Sequence, residues 1–108
     1  MKSNKTGPSV LHLTLHREFF DAIAGGRKKT EYREDKTYWR SRLIGRAYTE
    51  IVFRNGYATD APIMRVECLG VRQEKTGRFA IRLGKILEVR NYSIAPAALP
   101  RKSSPSRT

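Results

Sequence analysis

Apolar residues in this chain recur mainly at every second position, and that period fixes what it can fold into. Leu11, Leu13 and Leu15 alternate with His12, Thr14 and His16, and Ile51 and Phe53 flank Val52. Met64, Val66 and Cys68 alternate with Arg65 and Glu67, and Phe79, Ile81 and Leu83 with Arg78, Ala80 and Arg82. Side chains two apart share one face of a strand, so each run reads as a half-buried β-strand. The period changes at Arg17–Ala24, where Phe19, Phe20, Ile23 and Ala24 make the apolar stripe of a short helix ended by Gly25 and Gly26. A second helix is expected after Thr37 as its cap, with Trp39 and Leu43 one turn apart, Trp39 as a core anchor and Tyr38 as the exposed aromatic. Asn55-Gly56 is a two-residue hairpin signal, and Pro62 opens a return strand over Ile63–Val71. Lys75-Thr76-Gly77 is a turn, and Gly84-Lys85 separates the Arg78–Leu83 strand from a last one over Ile86–Arg90. This order predicts an α+β fold: a small, mostly antiparallel β-barrel flanked by two short helices. No period demands a parallel sheet.

A length of 108 residues is that of one domain. Residues 1–9 are expected to form a flexible leader, 10–92 the folded domain, and the Pro-, Ala- and Ser-rich 93–108 a disordered basic tail. The formal charge is +12; setting aside Lys2, Lys5, Arg101, Lys102 and Arg107 leaves 17 basic against 10 acidic side chains, or +7. Such an excess points to a polyanionic partner, most often nucleic acid. The single cysteine, Cys68, lies in an alternating apolar run and reads as a structural thiol. His12 and His16 share a strand face but have no carboxylate cluster beside them, so no metal site is expected. No apolar run nears the ~20 residues of a membrane span, and the N-terminus lacks a signal-peptide core. Cytoplasmic residence without membrane contact is the expectation, and oligomeric state is not readable.

The densest chemistry lies in Gly25-Gly26-Arg27-Lys28-Lys29-Thr30-Glu31-Tyr32-Arg33. Glycines let the chain turn sharply out of the first helix. A strand over Lys29–Glu34 would put Lys29, Glu31 and Arg33 on one face and Lys28, Thr30, Tyr32 and Glu34 on the other. Neither face is ordinary core. A charge network lining a cleft and a solvated edge strand both remain open. Lys28 and Arg33 suit a phosphate or a base carbonyl, Glu31 an exocyclic amine, and Lys29 is a further ligand-binding candidate. Tyr32, Tyr38, Arg54, Tyr57 and Arg65 are candidate stacking and phosphate contacts, although each aromatic is as well explained by packing under the barrel. In an enzyme, Lys28 or Glu31 would be the general base. A lone carboxylate among cations is held ionised and is a weak base, so the residues favour binding over catalysis.

The run Gly26–Arg33 fits the G-x-K-x-x-E-x-R pattern and resembles ASCH domains of the PUA-like superfamily, in their small bacterial and phage form. The resemblance extends over about residues 10–91 through the preceding strand and helix, the Glu50–Gly56 strand and turn, and the Arg78–Leu87 strands. It implies a PUA-like barrel with a basic cleft lined by Lys28, Glu31 and Arg33 that holds single-stranded RNA or a nucleotide-like ligand, with no cofactor. It also implies an alternative among hydrolases: an amidohydrolase acting on N4-acetylcytidine, or a ribonuclease, for which a divalent metal is implied. The amidohydrolase pattern places a threonine three residues after the lysine and a distant glutamate. Here that position is Glu31, Thr30 projects to the other face, and no distant glutamate matches, which counts against deacetylation.

Overall fold

The alternating runs become five strands: β1 (Val10–Thr14), β2 (Thr30–Glu34), β3 (Glu50–Arg54), β4 (Ile63–Glu74) and β5 (Arg78–Arg90). Helix α1 (Arg17–Ala24) lies between β1 and β2, and α2 (Thr37–Leu43) between β2 and β3. The structure, a computed structural model, describes residues 9–92. The strands form one mixed sheet in the order β1-β3-β4-β5-β2, curled into a half-barrel. The β3–β4, β4–β5 and β2–β5 pairs are antiparallel. β1 and β3 are parallel, a pairing that no local period announces. The segment carrying α1, β2 and α2 supplies the long crossover a parallel pair requires.

The leucines of β1 do face inward. Leu11, Leu13 and Leu15 pack in one core with Ile51, Phe53, Met64, Val66, Phe79, Ile81 and Leu83. Both helices fill the concave side, α1 through Phe20 and Ile23 and α2 through Leu43. Phe19 is the exception to the expected stripe: adjacent helical positions diverge by about 100°, and with Phe20 buried, Phe19 stays 40% exposed. Thr37 is the first helical residue of α2 rather than its cap; Lys36 holds the cap position and makes no side-chain cap bond.

The Asn55-Gly56 pair begins a longer connection, not a two-residue hairpin. The Asn55 N–H reaches the Pro62 carbonyl at 3.0 Å, and the Asn55 side chain donates to the Leu15 carbonyl at 2.9 Å. The two expected final strands are one, β5, which bends beside β4 through register shifts between Arg65 and Gly70. The bend favours glycine, because a Cβ on Gly84 would crowd the Glu67 Cβ and Leu69 Cδ2, both at 3.0 Å, and displace the Glu67 carboxylate. That carboxylate instead accepts the Lys85 N–H at 2.9 Å. The end of the expected leader, Ser9, is bonded to Thr49 and Glu50 at the start of β3. The remainder of that leader (1–8) and the tail (93–108) lie outside the described residues.

Because the barrel is only half closed, β1 and β2 are its two edges. The Arg33 side chain bridges them, its Nη2 donating to the Thr14 carbonyl at 3.2 Å. That seam is where the candidate site lies.

Candidate functional site

Register against β5 explains the inward turn of the charged strand. Glu31 pairs with Ile81 and Arg33 with Phe79, so both point with those residues toward the core. Glu31, 7% exposed, is the one buried charged side chain among the described residues. A carboxylate removed from water needs cations and donors to offset its lost hydration, and both oxygens find them. Oε1 lies 3.3 Å from Lys28 Nζ; Oε2 accepts from Arg33 Nε at 2.9 Å and lies 2.8 Å from Arg33 Nη2.

Lys28 reaches Glu31 because strand geometry starts only at Thr30, which frees Lys28 from the alternation that would have turned it away. The exit from α1 sets its origin: Gly26 adopts φ 81, and the N–H groups of Arg27 and Lys28 both donate to the Ala22 carbonyl, at 2.9 and 3.0 Å. Lys28 Nζ also donates to the Thr30 carbonyl at 2.7 Å. On the other side, the Arg33 guanidinium lies 4.9 Å from the Trp39 ring centre. Carboxylate, main-chain carbonyl and indole together fix the plane of Arg33.

Arg33 opens onto a cleft of about 590 Å³ along the seam, a volume in the range of small-ligand sites. One wall is the continuous run from His12 to Arg17; the others come from Arg33, Tyr38 and Trp39, and from Asn55, Gly56 and Tyr57. Among the described residues the lining holds two arginines, two histidines and three large aromatics, and no carboxylate. Main-chain groups contribute as well. In a parallel ladder alternate residues bond the neighbour; the Leu15 N–H bonds the Arg54 carbonyl at 2.8 Å, which assigns Leu11, Leu13 and Leu15 to β3. The N–H and C=O groups of His12 and Thr14 therefore point to the open edge, and Arg33 already uses the Thr14 carbonyl.

The candidate residues separate by location. Arg33, Tyr38 and Tyr57 meet at the cleft, Tyr57 with 84% of its surface exposed. Lys28 and Glu31 stand behind Arg33, outside the lining. Lys29 lines a smaller pocket of about 230 Å³ with Lys28, Lys85, Gly26 and Gly84. Tyr32 is on the outer face, under the Arg78 guanidinium at 3.8 Å. Arg54 braces the loop that carries Tyr57, donating to the Gly56 and Ala58 carbonyls at 3.1 and 2.7 Å. Arg65 lies away from the cleft, between Glu50 at 3.0 Å and Glu88 at 3.4 Å. Trp39 packs partly buried against the core as expected, and in addition lines the cleft. His12, His16, Arg17 and Asn55 were not anticipated as site residues. The shared face of the two histidines was visible in the alternation, but its closeness to Arg33 depends on the parallel β1–β3 pair.

Below the cleft wall, α1 is tied to the end of β5. Asp21 Oδ1 accepts from Arg17 Nε at 2.9 Å and from the Tyr92 hydroxyl at 2.8 Å, and the Tyr92 ring packs tilted against Phe20 with centroids 5.1 Å apart. Burial pushes the Asp21 carboxyl up, but the bonds from Tyr92 and Arg17 and the charges of Arg17 and Arg27 outweigh it and hold the group below its ordinary range. Tyr92 is raised, by burial first and then by Asp21. Cys68 is half-buried, and burial pushes its thiol up, which keeps it protonated and unreactive. No three His, Cys, Asp or Glu side chains among the described residues are grouped to hold a metal ion, and no helix there is long and apolar enough to cross a membrane. No family model and no curated protein matches the chain.

Proposed function

We propose that this chain is an ASCH-like, PUA-superfamily module that binds single-stranded RNA or a nucleotide of the cytoplasm in the seam cleft. The observation that carries the reading is the cleft lining itself: Arg33, Arg17, His12 and His16 beside Tyr38, Trp39 and Tyr57, with no carboxylate among them. Such a lining favours a ligand that is anionic and aromatic at once. The guanidinium plane suits a phosphate, the rings suit a base face, and the open main-chain edge of His12 and Thr14 offers donors and acceptors to a base edge. Lys28 and Glu31 are positioning residues in this reading, since both Glu31 oxygens are engaged by cations and neither residue lines the cleft. Binding is favoured over hydrolysis for the same reason.

The test is fluorescence polarisation with labelled short single-stranded RNA, with unlabelled mononucleotides as competitors. Arg33→Ala and Tyr57→Ala should each weaken binding about tenfold, the scale of one charge-assisted contact or one stacked base. Tyr57→Ala should leave the thermal midpoint unchanged, because the ring is exposed. Wild-type affinity in both variants would remove the cleft assignment. RNA fragments that appear with wild type and vanish with Arg33→Ala would replace binding by the hydrolase alternative.

A further inference from the structure

We propose that the outer face of β2, β5 and β4 is a second contact surface for single-stranded nucleic acid, carrying the strand onward after it leaves the cleft. The inference rests on the cleft reading only for the class of polymer. Residues directly opposite in antiparallel strands share a face, and the registers define three rows: Tyr32–Ala80–Arg72, Thr30–Arg82–Gly70 and Glu34–Arg78–Glu74. These side chains point away from Ile81 and Phe79, hence away from the core that α1 and α2 cover. Among the described residues both helices pack against the core side instead.

Its charges are unequal. Glu74 is paired with Arg78 at 2.7 Å and Glu34 with Lys36 at 2.8 Å, so both carboxylates are neutralised in place. Arg72 and Arg82 are exposed; neither makes a close ion pair among the described residues, although the Arg72 charge also acts on Glu74. Between them lie Ala80, only 2% exposed, and Gly70, which has no side chain. At one side stands Tyr32, 40% exposed, with Arg78 over its ring at 3.8 Å and Lys28 at 5.5 Å. A ring with a guanidinium laid on it is a stacking platform for a base, which packs on aromatic faces and guanidinium planes alike. An acidic peptide would use the arginines and leave that platform idle, so the chemistry favours nucleic acid. Continuity supports the same occupant. β2 is an edge strand, and Tyr32 adjoins Arg33, which reaches the cleft from the opposite face. A strand rounding that edge meets Tyr32 first.

The experiment compares the full chain with Arg72→Ser/Arg82→Ser, Tyr32→Ala and Tyr32→Phe, using a labelled single-stranded RNA long enough to leave the cleft and a mononucleotide. Mononucleotide affinity should stay at the wild-type value in all three. Oligomer affinity should fall about tenfold in the double variant. Its slope of log K against log salt should be shallower by about 1.4, two phosphates at ~0.7 each on a single strand. Tyr32→Ala should weaken the oligomer at least about fivefold, and Tyr32→Phe should restore it. An unchanged oligomer affinity and slope, with Tyr57→Ala still weakening the mononucleotide, overturns the outer surface and leaves the cleft standing. Absent mononucleotide binding, with an oligomer that still depends on Arg72 and Arg82, removes the cleft and keeps the outer surface. Equal binding of a glutamate-rich peptide, equally sensitive to the double variant and indifferent to Tyr32→Ala, overturns the nucleic-acid assignment.

Discussion

Glu31 shares its two oxygens between Lys28 and Arg33, and that division makes an otherwise unfavourable burial tolerable. Removing its charge strands two cations that are themselves only partly solvated. Breaking one side of a buried pair costs about 3–5 kcal/mol when burial is complete; with Lys28 and Arg33 about a fifth exposed, Glu31→Gln should cost about 2 kcal/mol. At this domain size that lowers the thermal midpoint by roughly 10 °C, readable by circular dichroism. Nucleotide affinity should fall as well at a temperature where the variant is folded, because Arg33 loses the anchor that fixes its plane. A melt that matches wild type would mean that the pair is solvated and contributes nothing. The spacing of Lys28, Glu31 and Arg33 could be read from the sequence; the inward turn of Glu31 could not. It depends on which strand lies beside β2 and in what register, and five residues of alternating charge carry neither.

At the scale of elements, local period fixed the strands well and their junctions poorly. The leucine alternation in β1, the extent of α1 and the turn at Lys75–Gly77 follow from short-range sterics and amphipathicity, so the chain announces them. Gly84-Lys85 looked like a break because glycine after a strict alternation usually ends a strand. Here it marks a bend, where the Lys85 N–H turns to the Glu67 carboxylate on β4, remote in sequence, and the ladder with β4 resumes on either side. A cleft beside Arg33 was expected, but its longest wall was missed for a related reason: that wall is the free edge of β1, which exists only because β1 pairs on its other side with β3. That edge makes a prediction. Proline lacks the N–H but is tolerated where the N–H faces outward from an edge strand. Thr14→Pro should therefore fold, with a thermal midpoint close to wild type, while losing the difference in affinity between a nucleotide and its abasic ribose phosphate. If that difference survives, the main-chain edge does not read the base. If the variant unfolds, the Thr14 N–H belongs to the ladder, and the edge assignment is wrong.

Across the whole molecule the excess of positive charge is the property composition revealed most directly. Most carboxylates form ion pairs, among them Asp21 with Arg17, Asp35 with Arg40, Glu50 with Arg65 and Glu74 with Arg78. Several pairs also join elements, since Asp35 binds Gln73 of β4 at 2.6 Å and Asp21 binds Tyr92 beyond β5. These ties make stability depend on pH. Asp35 is held below its ordinary range by hydrogen bonds from Arg40 and Gln73, Glu74 by the bond from Arg78, and Asp21 by Tyr92 and Arg17 against the opposing effect of burial. A carboxyl depressed in the folded state contributes stability above its unfolded value, 3.8 for Asp and 4.5 for Glu, and loses it as pH falls through the folded value. Tyr92 is raised, so its contribution is complete below 10.0 and is lost as pH climbs through the folded value. The thermal midpoint should accordingly be level between about pH 5 and 9, fall steeply below about pH 4, and fall again in strong alkali. Tyr92→Phe isolates one tie: it removes the donor to Asp21, lowers the plateau by about 1 kcal/mol, makes the acid fall shallower and abolishes the Tyr92 part of the alkaline fall. A variant whose pH profile runs parallel to wild type at every pH would show that the Asp21–Tyr92 bond does not hold α1 to the end of the sheet in solution.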